Sequence, residues 1–181
     1  TPRVGLAAQP QTVHDFGGFD PALYRIDYPA PGQPALAERA IGVLLAAGWT
    51  AQADERRGLD HGAWVPLRHL YPEADVPVFQ VSLPARLDGE RAYAYGRALA
   101  PLANEGVLVI GSGSLTHNLF EVRFDAPDAN AETYAVEFAH WINTVVTGRD
   151  HTSLQQTMAI APHAQRAHPT AEHLWPLMVA A

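Results

Sequence analysis

The chain has 181 residues, nearly half of them hydrophobic, with a net charge of −7, no cysteine, and twelve basic residues that are all arginine. The length fits one domain, and the apolar content suffices for a packed core. The charge argues against nucleic acid or an anionic membrane surface as partner, and the missing lysine and cysteine remove Schiff-base, P-loop, thiolate and disulfide chemistry. No apolar run approaches the ~20 residues of a membrane span. No signal peptide is visible, so the expected location is cytoplasmic. Nine histidines stand out; with no cysteine, a transition metal would need His with Asp or Glu.

Thr1 to Gln11 shows no clear element. Thr12 to Pro34 reads as a long ordered loop, punctuated by Gly and Pro and carrying Phe16, Phe19, Tyr24 and Tyr28. Pro34 opens a helix that Gly48 closes, with Leu36, Ala40, Val43, Leu44 and Ala47 as its apolar stripe. Gly58-Leu59-Asp60-His61-Gly62 is a polar loop ahead of a short helix, Ala63 to Tyr71, expected to bury Trp64, Leu67 and Leu70. Val76 to Leu83 reads as a strand and Asp88 as the cap of a helix to about Ala103. Val107-Leu108-Val109-Ile110 reads as a strand buried on both faces. Strand, helix and strand then form a right-handed βαβ unit with parallel pairing.

Gly111-Ser112-Gly113-Ser114 follows as a loop that tolerates unusual backbone angles or lets another group approach the main chain, with His117 just beyond it. Phe120, Val122 and Phe124 alternate as in a short half-buried strand. A helix led by Asp128-Ala129-Asn130 runs to Thr147 with a stripe of Tyr134, Phe138, Trp141 and Val145. Asp150 to Ala161 is a further helix, and Pro169-Thr170 begins a terminal one. The fold class is α/β, a single domain with a central, mostly parallel sheet flanked by helices.

His140 lies opposite its helix's aromatic stripe and reads as solvated; His69 and His151 have no companion ligand at telling spacing. His163 and His168 read as polar residues of a loop. His14, His61, His117 and His173 instead sit in loops or at element ends, where scaffolds carry chemistry. The loop after Ile110 lacks the third glycine of a dinucleotide fingerprint and the spacing of a nucleophile elbow. A Ser–His hydrolase using Ser112 or Ser114 with His117 stays open.

Gly111 to Leu119 resembles a motif of the class III extradiol ring-cleaving dioxygenases, most closely the DOPA-dioxygenase type. The likeness continues through Thr12–Phe19, Tyr28–Gly32, Leu59–Trp64, Tyr71–Pro77 and His168–Leu174, in the family's order and over nearly the whole chain. The resemblance implies ring opening next to the diol of a catechol such as DOPA, with dioxygen and a non-haem Fe(II), for which Zn(II) can substitute in isolated protein. It implies His173 as a metal ligand and His117 at the metal, as ligand or as acid–base residue. It places His61 in the pocket, assisting proton transfer, and His14 on the bordering loop. The family carries two further metal-binding histidines in a strand–helix segment ahead of the region matching Thr1, in motifs absent here; residues 1–181 are therefore expected to be a catalytic domain lacking that segment. The competing reading is a non-catalytic metal-binding or interaction protein on the same fold. Oligomeric state is not indicated.

Overall fold

A computed structural model describes residues 1–123 and 130–181. The chain forms two compact units. The first comprises residues 1–85 and 98–108, the second 86–97 and 109–181.

In the first unit, β1 (Arg3–Gly5) and β2 (Gln52–Asp54) pair in parallel, with Val4 opposite Ala53. Neither was expected, because three residues are too short to display a period-2 pattern. Between them runs α1 (Pro34–Ala46), entered at Pro34 and left through Gly48 at φ 81°. Its buried side is Ala37, Ala40, Val43 and Leu44; Leu36 is only half-buried and Ala47 exposed. α2 (His61–Leu70) buries Trp64 and Leu67 against Tyr28, Ala30, Leu59 and Ala74, but Leu70 points to solvent. The loop ahead of α1 is tied to this core: the Tyr28 hydroxyl donates to the Tyr71 carbonyl at 2.9 Å, and Tyr28 N donates to Thr12 Oγ1 at 2.8 Å.

The two apolar stretches expected as central strands form no ladder among the described residues. Val81 makes an isolated antiparallel bridge to Val4, flanked by Gly5 N donating to Gln80 O and Ser82 N to Arg3 O. Val107–Ile110 is unpaired by any described strand, and Leu108 is 68% and Ile110 42% exposed. A branched apolar run favours extended backbone, but a sheet also needs a neighbour to complete its ladder. Helices with a small parallel sheet are therefore what the structure contains.

The second unit is helical. α3 (Gly89–Leu99) begins where Asp88 Oδ1 accepts from Arg91 N at 2.8 Å, the cap expected from sequence. α4 (Thr133–Thr147) buries Tyr134, Phe138, Ile142 and Val145, while Trp141 is half-buried and His140 exposed. The expected helix from Asp150 breaks at Gln156 into α5 (His151–Gln155) and α6 (Thr157–Ile160). His163 and His168 bracket a helical turn, α7 (Ala164–Ala167), rather than a loop. The terminal helix, α8 (Trp175–Ala180), starts later than Pro169-Thr170, and Thr170 Oγ1 donates to Glu172 instead of capping. Ala92, Phe138, Leu154, Ala167, Leu174 and Met178 form the core of this unit. Of the strand expected at Phe120–Phe124, Phe120 and Val122 are exposed and unpaired among the described residues. Phe124 and the Asp128-Ala129 helix lead lie outside the described residues.

Candidate active site

The glycine loop explains itself through what it touches. Gly111 and Gly113 do not use left-handed backbone angles. A Cβ on Gly113 would instead overlap the His173 carbonyl, and one on Gly111 the Pro176 carbonyl. Alternate residues of extended chain face one side, so both glycines lie flat against the main chain of residues 173–176. Ser114 N completes the join by donating to His173 O at 2.9 Å.

That join brings His117 and His173 together. Their ring centroids are 3.5 Å apart and the planes differ by 12°. His117 is held by its own N–H, which donates to Ala167 O at 2.8 Å. His173 Nδ1 lies 3.6 Å from Glu172 Oε1. The next residue, Asn118, is buried and donates from Nδ2 to Arg166 O at 2.8 Å and Glu121 Oε1 at 3.1 Å. Arg166 grips Glu121 through Nε and Nη2, the latter at 2.6 Å, and stacks over Tyr134 at 4.1 Å. Hydrogen bonds from Arg166 hold the Glu121 carboxyl below its ordinary range, against a smaller effect of burial.

Behind the pair, His168 is fully buried, a placement that its reading as a polar loop residue missed. Its Nε2 donates to Leu115 O at 2.9 Å, and its ring lies 5.5 Å from that of Phe138. Burial pushes this imidazole down, the Leu115 bond opposing, so it stays neutral and works as a strut beneath residues 115–117. Its place at the head of the family-like block His168–Leu174 was the signal available in the sequence.

A metal ion tests this arrangement. An imidazole nitrogen binds metal in the plane of its ring. Two planes 12° apart, with centroids separated by 3.5 Å, do not meet near either nitrogen. Among the described residues no group of three His, Asp or Glu could hold an ion. The donors suit a divalent transition metal in kind, but the stacked pair does not fit one as it stands. The hydrolase reading also loses support: Ser114 Oγ donates to Thr116 O at 2.8 Å, and Ser112 is exposed.

In the first unit, His61 opens α2 and its Nδ1 lies 2.8 Å from Asp15 Oδ1. Asp60, its neighbour in the chain, instead accepts from Arg57 Nη2 at 2.6 Å. His14 Nε2 donates to Ile26 O at 2.9 Å, and its ring packs edge-on against Phe16 at 5.9 Å and Trp64 at 5.7 Å. Phe16 also meets Phe19, Tyr24 and His61. The result is an aromatic cluster with an exposed imidazole at its edge.

The sequence pattern of the family described as the catalytic LigB subunit of aromatic ring-opening dioxygenase matches residues 2–181. A protein of Beta vulgaris named 4,5-DOPA dioxygenase extradiol is 43% identical over 181 residues, covering 99% of this chain and 66% of the relative. One of the same name from Mirabilis jalapa is 37% identical over 179 residues, with the same coverage of 99% and 66%. The chain spans just under two thirds of the length of these curated relatives. The crystal structure of an uncharacterized Escherichia coli K12 protein matches with a TM-score of 0.77 at 29% identity, covering 99% of this chain and 68% of that one.

Proposed function

This chain belongs to the family of catalytic LigB subunits of aromatic ring-opening dioxygenases, and on that premise we propose that it serves extradiol cleavage of a catecholic ring such as DOPA by dioxygen. The observation that carries the reading is the meeting of His117 and His173 on a loop whose two glycines serve that contact. A catechol must lose a proton before its ring is electron-rich enough to react. An imidazole suits that task, since its unperturbed pKa of about 6.5 allows gain and loss of a proton near neutrality. His117 is assigned as the base that accepts this proton and later returns it to the ring-opened product. His61 assists proton transfer, and His14 borders the aromatic loop that packs against the substrate ring.

A resident non-haem ion, Fe(II) by expectation with Zn(II) as a substitute, would supply Lewis acidity to the diol. His117 and His173 would hold such an ion only where one ring has turned out of the stack. A larger parallel sheet including Val107–Ile110, in a single catalytic domain, belongs to the same reading of the complete protein.

The test loads the full-length gene product with Fe(II) without air and follows dioxygen consumption on adding DOPA. Uptake matching diol loss, absent in a folded His117→Ala variant, supports the reading. A non-catalytic metal-binding protein would bind the ion and consume no dioxygen.

A further inference from the structure

The Asp15 carboxylate holds His61 at two points with one oxygen. Oδ1 accepts from His61 N at 3.0 Å and lies 2.8 Å from Nδ1 of the ring. The first N–H groups of a helix have no partner within it, and negative charge is favoured there. Asp15 therefore answers a need of α2, reaching its first residue from a distant loop, and offers the same oxygen to the side chain.

The loop that presents Asp15 is clamped on both sides. Val13 N donates to Leu59 O at 2.8 Å, and Val13 O accepts from Trp64 Nε1 at 3.0 Å. His14 is tied to Ile26 O, and Phe16 sets its ring edge-on to that of His61, 6.0 Å away at 87°. Burial works to raise the Asp15 carboxyl, but the hydrogen bonds from the His61 main chain and ring outweigh it, and the group stays below its ordinary range. An ionised carboxylate only accepts hydrogen bonds. Nδ1 therefore carries the hydrogen, and in the neutral ring Nε2 is left with the lone pair.

We propose that Asp15 is the positioning residue for His61, fixing the Nδ1–H tautomer so that Nε2 accepts the proton of the second phenolic hydroxyl, the one that His117 does not take. This rests on the assignment of His61 to proton transfer made above. In the step, the phenolic O–H bond breaks, the proton passes to Nε2, and the electron pair stays on the phenolate oxygen. The imidazolium keeps its Nδ1–H on Asp15, and the proton on Nε2 returns to product or water.

The experiment uses full-length protein labelled with ¹⁵N-histidine, long-range ¹H–¹⁵N correlation at a pH where the ring is neutral, and steady-state turnover of DOPA. Wild-type His61 is expected as the Nδ1–H tautomer, and D15N is expected to retain it, because an amide oxygen still accepts. D15A is expected to release the ring to the Nε2–H form and to lower kcat roughly ten- to a hundredfold, part of the ~10²–10⁴ that a placed base supplies, with KM changed less than kcat. D15N should recover part of that loss, an outcome that a purely structural role for the carboxylate does not require. An Nε2–H ring in the wild type, or the same tautomer in D15A, overturns the proposal. A tautomer that switches in D15A while kcat is unchanged overturns both Asp15's part in turnover and the role given to His61, and leaves that of His117 standing.

Discussion

Gly113→Ala is the sharpest structural test of how the histidine pair is held. The added Cβ overlaps the His173 carbonyl, which is backbone and cannot swing aside. The loop must draw back by something like 1 Å, and overpacking of that kind costs about 1–3 kcal/mol. The Ser114 N to His173 O bond, now 2.9 Å, stretches with it, adding about 1 kcal/mol. A loss of about 2–4 kcal/mol lowers the melting temperature of a chain this size by roughly 5–15 °C. The same displacement parts His117 from His173, and a 1 Å error in a reacting group costs on the order of 10²-fold in rate. Thermal unfolding by circular dichroism reads the first effect and dioxygen uptake the second. Ser112→Ala, at an exposed neighbour on the same loop, is the control and should stay within about 0.5 kcal/mol of wild type. A Gly113→Ala protein that melts within a degree of wild type and turns over normally would refute the idea that these glycines serve close approach.

His168 is held below its ordinary value of 6.5 by burial, so between 6.5 and its folded value the unfolded chain binds the extra proton. Stability should therefore fall as pH drops through that window; in His168→Asn, whose amide can still donate to Leu115 O, denaturant melts should show no such fall. Glu121 is depressed from 4.5 by Arg166, so its contribution is present above that value and is lost as pH falls through its folded value. Glu121→Gln should be less stable than wild type near neutrality and show a shallower loss at acid pH, seen in melting temperatures across a pH series.

The helices were legible because their signals are local. Pro34 and Gly48 bound α1, Asp88 caps α3, and Tyr134, Phe138 and Val145 repeat along α4. Trp141 is only half-buried because the buried face of α4 is turned from the aromatic stripe towards Ile142. The sheet was not legible. Val107–Ile110 has the composition of a central strand, but composition does not supply the neighbour that a ladder needs. At the candidate site, His117 and His173 could be picked out as loop histidines, and the glycines between Ile110 and Leu115 allowed a close approach without saying to what. Asp15 and His168 were missed for the same reason. Asp15 works through His61, far along the chain, and His168 is buried by helices whose packing no local pattern announces.

Ring opening beside a diol, with both atoms of dioxygen retained, is the activity proposed for this protein. Supplying ¹⁸O₂ to the Fe(II)-loaded full-length protein with DOPA, and weighing the product by mass spectrometry, tests that claim directly. A ring-opened product carrying two labelled oxygens before exchange with water, and lost in His117→Ala, is the predicted result. An intact ring, or a product with at most one labelled oxygen under conditions that exclude exchange, would contradict it.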